Sequence, residues 1–464
     1  MNLDQTECKK KAKDTGSRNP SNPLQLNLKY LVLLAGIAAM GGLLFGFDIA
    51  IITGAGPFIE KHFNLDKLEL GWGFSSLLFG CILGSVFTGR ITDYFGRKKL
   101  LFIIAVLFAL TSLATGLSPT FNLFVTARFS GGLAVGAASV LSPLYLSEVA
   151  PFSIRGRLVT LYQLSIVFGI LISYLINYSL HDIGDNNWRW MFITGIIPAT
   201  LLFLLLFFVP ETPRYLYKTG KRSLAFEILL KIGGKKNAAY EFTQIEASLA
   251  ETKSDFRELY KPGMIRVMVV GIILAILIQI SGINAIIDYA PIILGTAGWE
   301  IDAALFATFG LGIVNVIFTL VSIYAIDRFG RKPLYIIGSA GMTISMLLFG
   351  VLSFINHFEG SFVLILCILY LAFFCSCIGP VFWTLISEIY PTKIRGTAMS
   401  VPVFIQWLFN ALVVLFFPHF LDILRTWTFG FIALMAFLQM LFAWKYIPET
   451  KGKTLEEIEK FWEI

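Results

Sequence analysis

Three full charges stand inside otherwise apolar runs of the chain: Asp48, Arg128 and Asp288. On insertion scales each costs roughly 2.5 to 3.5 kcal/mol at the centre of a membrane helix, so each needs a partner and a task. Asp48 lies eight residues before Gly56, and Arg128 lies eight residues after Thr120, the expected outer ends of two spans. At about 1.5 Å per residue both sit about 12 Å below the outer surface, at matching depth. A carboxylate beside a guanidinium stays ionised, whereas one left alone in a low-dielectric cavity takes up a proton. A pair whose separation changes with conformation therefore binds and releases a proton at Asp48. Arg128 cannot be deprotonated, so it tunes Asp48 without relaying protons.

The elements that carry these charges are long apolar helices. The 464 residues are 56% hydrophobic, 15% aromatic and 14% charged, with mean hydropathy +0.75. A soluble domain carries roughly 25% charge. This composition excludes a soluble enzyme and a nucleic-acid binder, in spite of a net charge of +7. Twelve runs reach the length of about 20 residues that a hydrocarbon core requires. They cover 30–56, 70–89, 100–117, 120–146, 157–178, 189–209, 264–293, 302–326, 333–355, 361–387, 396–417 and 425–446. The pattern predicts an all-α membrane protein with a polar tail (1–29), two six-helix halves (30–209 and 264–446), a linker with short surface helices (210–263) and a second tail (447–464). The first apolar run is too long for a signal-peptide core and is expected to remain as the first span.

All but five of the 37 Lys and Arg fall on one side of this topology; the exceptions are Lys61, Lys67, Arg189, Arg425 and the intramembrane Arg128. By the positive-inside rule both tails and the linker are cytoplasmic. The basic excess then reports orientation and implies no acidic partner. His62, His181, His357 and His419 all fall on the outer side, so no imidazole is available within the membrane. Four of the five cysteines lie in apolar runs and Cys8 in the tail, which is no disulfide framework. No nucleophile triad, phosphate loop or metal-ligand spacing is present, so neither an enzyme activity, a cofactor nor a metal is expected.

An internal repeat joins the halves. GRITDYFGRKK from Gly89 recurs as YAIDRFGRKP from Tyr324, SEVAPFSIRGR from Ser147 as SEIYPTKIRG from Ser387, and PETPR from Pro210 as PETKG from Pro448, at offsets of 234 to 240. Parallel halves around a midplane site are a transporter architecture. With SPLYLSEVAP, QISGIN and DRFGRK in order between them, these motifs resemble the sugar porter family of the major facilitator superfamily from end to end, with bacterial sugar/proton symporters as the nearest likeness.

The resemblance implies a major facilitator fold and a proton-coupled monosaccharide symporter working by alternating access. FGFD at Phe45 to Asp48 matches the helix-one aspartate of proton-coupled members. Asp93, Arg97, Glu148, Arg155 and Glu211, with Asp327, Arg331, Glu388, Arg395 and Glu449, stand at inner helix ends. They are expected to form an inter-helix salt-bridge network that closes the cytoplasmic side and breaks as the halves rock. Sugar hydroxyls suit side-chain amides, and the apolar faces of the ring suit aromatic planes. The family pattern places sugar contacts at Gln163, Gln279, Asn284, Asn315, Gly379, Trp383, Gln406 and Trp407, with Phe45 and Tyr289 along the cavity. Gly in GPVF and SGIN, with Pro143, Pro380 and Pro402, marks sites of broken or bent helix.

Three departures qualify this. Gly195 stands where some bacterial members have a glutamate, Ile278 replaces the first of a usual glutamine pair, and Asp288 replaces a usual tyrosine. Asp288 is left as a second titratable site, a ligand for a substrate hydroxyl or amine, or a residue of the outer mouth near Pro291. The expected partners are a sugar, a proton and the bilayer, with the chain a monomer in a bacterial inner membrane. A passive facilitator of the same fold is the nearest alternative, and a non-transporting sugar sensor a remote one.

Overall fold

The computed structural model describes residues 27–151, 155–250, 262–355, 360–390, 395–452, 457–458 and 462. The first helix, Leu28–Phe63, begins where the Asn27 side chain accepts from the Tyr30 amide and ends where Asn64 turns left-handed at φ 52°. Asp66 and Glu69 then exchange side-chain and backbone bonds in a capping box that starts the second helix. Lys67 of that helix pairs with Glu60 of the first at 2.5 Å. The first span therefore runs seven residues past the expected limit of 56, and three residues, not a loop of 57–69, join it to the second. Glu60, Lys61 and His62 hid the helix end, because an apolar run stops at charge while a helix continues to its cap.

Among the described residues, twelve helices are long and apolar enough to cross a membrane: Lys29–Phe63, Lys67–Phe95, Arg97–Gly116, Phe121–Val149, Leu161–Leu180, Asn187–Phe208, Gly263–Asp288, Ile301–Ile326, Arg331–Phe354, Gly360–Glu388, Ala398–Leu424 and Trp427–Tyr446. The first pairs with the fifth, and the second with the fourth. At the second contact a Cβ on Gly80 or Gly132 would collide with backbone of the facing helix, so glycine permits the close approach. The linker forms Pro213–Lys218 and a longer helix, Arg222–Ala250, kinked at Gly234.

Breaks fall where the glycine motifs indicated. The seventh span stops at Ile280, turns through Gly282 at φ 89° and resumes as Ile283–Asp288 and Ala290–Thr296. The tenth carries a π-helical stretch, Phe374–Ile378, just before Gly379 and Pro380. Pro143 and Pro402 instead lie within uninterrupted helices. The sixth span is interrupted between Ile193 and Ile196, just before Pro198, which has no N–H to donate to the Thr194 carbonyl.

The halves meet toward their outer ends. Phe74 of the second span stacks on Tyr289 at 4.3 Å, Gly71 abuts the Leu415 backbone, and His181 after the fifth span pairs with Asp302 of the eighth at 3.1 Å.

Candidate functional site

Arg128 is buried in the fourth span and points at the first. Its Nη1 donates to the Asp48 carboxylate at 2.6 Å and to the Asp48 backbone carbonyl at 3.0 Å. The guanidinium lies 5.3 Å from the Phe192 ring of the sixth span, while the second Asp48 oxygen faces Gly131 and Thr111. The pair is thus enclosed by four spans of one half. Arg128 Nε has no partner among the described residues, so the guanidinium keeps donor capacity beyond its bonds to Asp48. The depth match that was measured from Gly56 survives even though the helix continues past that residue. Breaking a buried ion pair from one side strands a charge and costs about 3 to 5 kcal/mol. That is enough to couple the protonation of Asp48 to the conformation around it.

Asp288 ends the short helix Ile283–Asp288, which packs on both the first and the eleventh span. It is buried between the halves, not exposed at an outer mouth. Through that packing the C-terminal half sets a carboxyl on a helix against the first span, which carries Asp48.

The amide set is gathered mainly by the C-terminal half. Asn284 Nδ2 donates to Gln279 Oε1 at 2.7 Å across the Gly282 break, so the two amides of the seventh span act as one unit. Asn315 Oδ1 accepts from Thr319 Oγ1 at 3.3 Å and from Cys375 Sγ at 3.2 Å, tying the eighth span to the π-helical stretch of the tenth. Phe45 and Trp407 meet across the halves at 5.8 Å between ring centroids. Trp383, near the inner end of the tenth span, is 40% exposed, and Gln163 and Gly379 are partly buried. Gln406 carries a buried Oε1 with no partner among the described residues.

Tyr289 goes elsewhere: its hydroxyl donates to the Val414 carbonyl at 2.8 Å, and it lines an outer cavity of about 450 Å³ with Phe417 and Arg425. Tyr162 and Asn410 were not singled out from the sequence, yet each holds a buried polar atom without a partner among the described residues. Their positions, next to Gln163 and one helical turn from Gln406, were the available signal.

At the inner ends two matching networks form. Arg97 pairs with Glu148 at 2.8 Å and Asp93 at 3.4 Å, and Thr212 donates to Glu148 at 2.6 Å. Glu211 accepts from the amides of Arg97 at 3.0 Å and Lys98 at 3.1 Å. In the second half Arg331 pairs with Glu388 at 2.8 Å, Thr450 donates to Glu388 at 2.6 Å, and Glu449 accepts from the amides of Arg331 and Lys332 at 3.1 Å. Gly96 and Gly330 have nearly the same positive φ, 89° and 88°, and a side chain on either would strike Glu211 or Glu449. All these links stay within one half; none of them bridges the two. Burial raises the Glu211 carboxyl above its ordinary range, against the backbone bonds and the Arg97 charge that lower it. The side chains of Arg155, Asp327 and Arg395 lie outside the described residues.

Residues 34–462 match the family model of sugar (and other) transporters. The chain is 39% identical to the D-xylose-proton symporter of Escherichia coli (strain K12), covering 95% of this chain and 97% of that one. It is 38% identical to the arabinose-proton symporter of Bacillus subtilis (strain 168), covering 94% and 96%. It overlays the inward-open xylose transporter XylE of E. coli with a TM-score of 0.84 at 36% identity, over 93% of this chain and all of that one. With twelve spans, two repeated halves and this end-to-end match, the chain belongs to the sugar porter family of the major facilitator superfamily and is a multi-pass membrane protein.

Proposed function

We propose that this chain is a proton-coupled monosaccharide symporter that works by alternating access as a monomer in a bacterial inner membrane, with both termini cytoplasmic. One observation carries the reading: the first half holds a buried carboxylate–guanidinium pair, and the second holds most of the amides and tryptophans. The first supplies a proton site and the second a site for hydroxyls.

Asp48 takes a proton from the outer side and gives it up inside, and Arg128 restores its ionised form once the proton has left. Gln163, Gln279, Asn284, Asn315, Gln406 and Trp383 hold the sugar, with Trp407, Phe45, Gly379 and Asp288 shaping the cavity. The breaks at Gly282 and before Pro380 absorb the rocking of the halves. Contacts between the halves at their outer ends and the likeness to an inward-open relative support an inward-facing state. The cytoplasmic networks are intact in that state, so their role is to hold each half's inner helix ends as a rigid unit that docks on its counterpart in the outward-facing state.

The test is uptake of labelled pentoses, hexoses and inositols into vesicles with a proton gradient, with and without an uncoupler, while internal pH is followed. Accumulation that acidifies the vesicle and collapses with the uncoupler supports symport. Sugar equilibration without pH change would make the protein a passive facilitator.

A further inference from the structure

The outer contact between His181 and Asp302 has a chemistry of its own. His181 follows the fifth span, and its Nδ1 lies 2.5 Å from the Tyr178 carbonyl while its Nε2 lies 3.1 Å from Asp302 Oδ1 in the other half. A carbonyl and a carboxylate only accept, and a neutral imidazole has only one N–H. Both contacts are hydrogen bonds only if the ring is the imidazolium, with a proton on each nitrogen. The neutral ring must turn a lone pair toward one of the two acceptors.

The surroundings fix this geometry. The imidazole stacks on Tyr178 at 5.5 Å, and Tyr178 in turn packs on Phe306 of the eighth span at 5.4 Å. Asn187 of the sixth span donates to the His181 carbonyl at 2.6 Å. Asp302 sits in the first turn of the eighth span, where the helix dipole favours a negative charge. Charged residues on the elements around the ring are Asp302 itself, Glu300 at the cap of the eighth span, Asp182 and Asp185 on the histidine's own loop, and Arg189 of the sixth span, whose guanidinium is engaged by the Gly116 and Ser118 carbonyls and the Trp188 ring.

We propose that His181 and Asp302 form a pH-sensitive latch on the outer face, which holds the outer ends of the halves together when His181 is protonated. Histidine changes charge between about pH 5 and 8, the range in which the outer medium of a proton-driven carrier varies. Acid outside then favours closure of the outer side from the same compartment that loads the proton. The latch rests on the alternating-access reading for its effect on transport, but its existence is read from the distance between the halves.

Spin labels at Asp185→Cys and Asp422→Cys, with Cys8→Ser, report that distance in proteoliposomes whose internal pH is fixed while the outer pH steps from about 8 to about 5.5. The wild-type pattern is a closed, short-distance population that grows on acidification. His181→Gln and Asp302→Asn should lower the closed-to-open ratio at acid pH by roughly two- to fivefold, as expected of a pair whose carboxylate is 68% exposed. His181→Arg, permanently charged, should keep the closed population at alkaline pH. If His181→Gln and Asp302→Asn both follow the wild-type curve, the latch is overturned while the transport reading stands. Failure of sugar uptake with the curves separated would sink the transport reading and leave the latch.

Discussion

The two halves are alike where they meet the cytoplasm and unlike within the membrane. At the inner ends an arginine following a left-handed glycine reaches a glutamate at the inner end of the next span, and a second glutamate caps the arginine's own backbone. The two copies agree to within a few degrees in φ and ψ at Gly96 and Gly330. Inside the bilayer the agreement stops. The first half holds the Asp48–Arg128 pair, while the second holds the turn at Gly282, the π-helical stretch Phe374–Ile378, the Gln279–Asn284 unit and Asp288. The joints that keep each half rigid are duplicated, and the chemistry is divided between the halves. A carrier that must bind two unlike ligands, a proton and a polyol, gains from this division, because each site can be tuned without disturbing the other while rigid halves transmit the state of both.

The largest expected effect breaks the division on the proton side. Asp48→Asn keeps a hydrogen-bonding group beside Arg128 but cannot titrate, so accumulation of sugar under a proton gradient should vanish entirely while exchange of labelled for unlabelled sugar continues. Labelled-sugar uptake and counterflow measure the two. Retained accumulation would remove Asp48 from the coupling. On the other side of the division, Gln279→Ala or Asn284→Ala should weaken sugar binding by roughly 10- to 100-fold without uncoupling the proton, because each leaves a buried polar partner unserved. The double variant should cost much less than the product of the two, since the amides bond each other at 2.7 Å. Independent, multiplicative losses would mean that the pair is not a unit.

What the sequence made legible follows the same line. Charges in apolar runs and repeated motifs are local signals, so Asp48 with Arg128, and Arg97, Glu148, Arg331 and Glu388 of the inner networks, are legible there, while Thr212 and Thr450, which donate to the two glutamates, are not. Helix ends were less legible: hydropathy lost the first span at Glu60, although the cap at Asn64 and the capping box at Asp66 lie in the same few residues. Tyr289 was placed in the cavity by its aromatic ring, but its hydroxyl is engaged by the Val414 carbonyl, 125 residues away. That carbonyl is free because Pro418, four residues on, has no N–H to donate to it, but that Tyr289 is the group to take it up is set by packing between the two spans. The resemblance itself marked Asp288 as a departure, yet only the packing of its short helix sets it against the first span.

A smaller effect tests how alike the inner networks are. Arg97 and Glu148 have side chains 7% and 3% exposed, against 15% and 24% for Arg331 and Glu388. Desolvation makes the loss of one partner more costly where burial is deeper. Arg97→Ala should therefore destabilise by about 3 kcal/mol and Arg331→Ala by roughly 1 to 2 kcal/mol, the second discounted for solvent screening. Thermal unfolding in one detergent ranks them. Equal losses, or the reverse order, would mean that the joints do not differ as their burial implies.

The smallest effect sharpens the same contrast through pH. Glu211 accepts from the backbone of Arg97, Lys98 and Thr212, yet burial outweighs these bonds and holds its carboxyl above the usual range. A carboxyl raised in the folded state stabilises fully below its unfolded value, and that contribution is lost as pH rises through the folded value. Wild-type stability should therefore decline slightly across the window just above the ordinary glutamate range. Glu211→Gln keeps an acceptor oxygen for the amides but has no proton to lose, so its melting temperature should lack this decline, a difference of about a degree or two. Because one carboxyl is responsible, the difference must vanish on the acid side of the window and stay constant on its alkaline side. A wild-type curve that instead rises relative to Glu211→Gln across the same window would show that the backbone bonds and Arg97 dominate over burial.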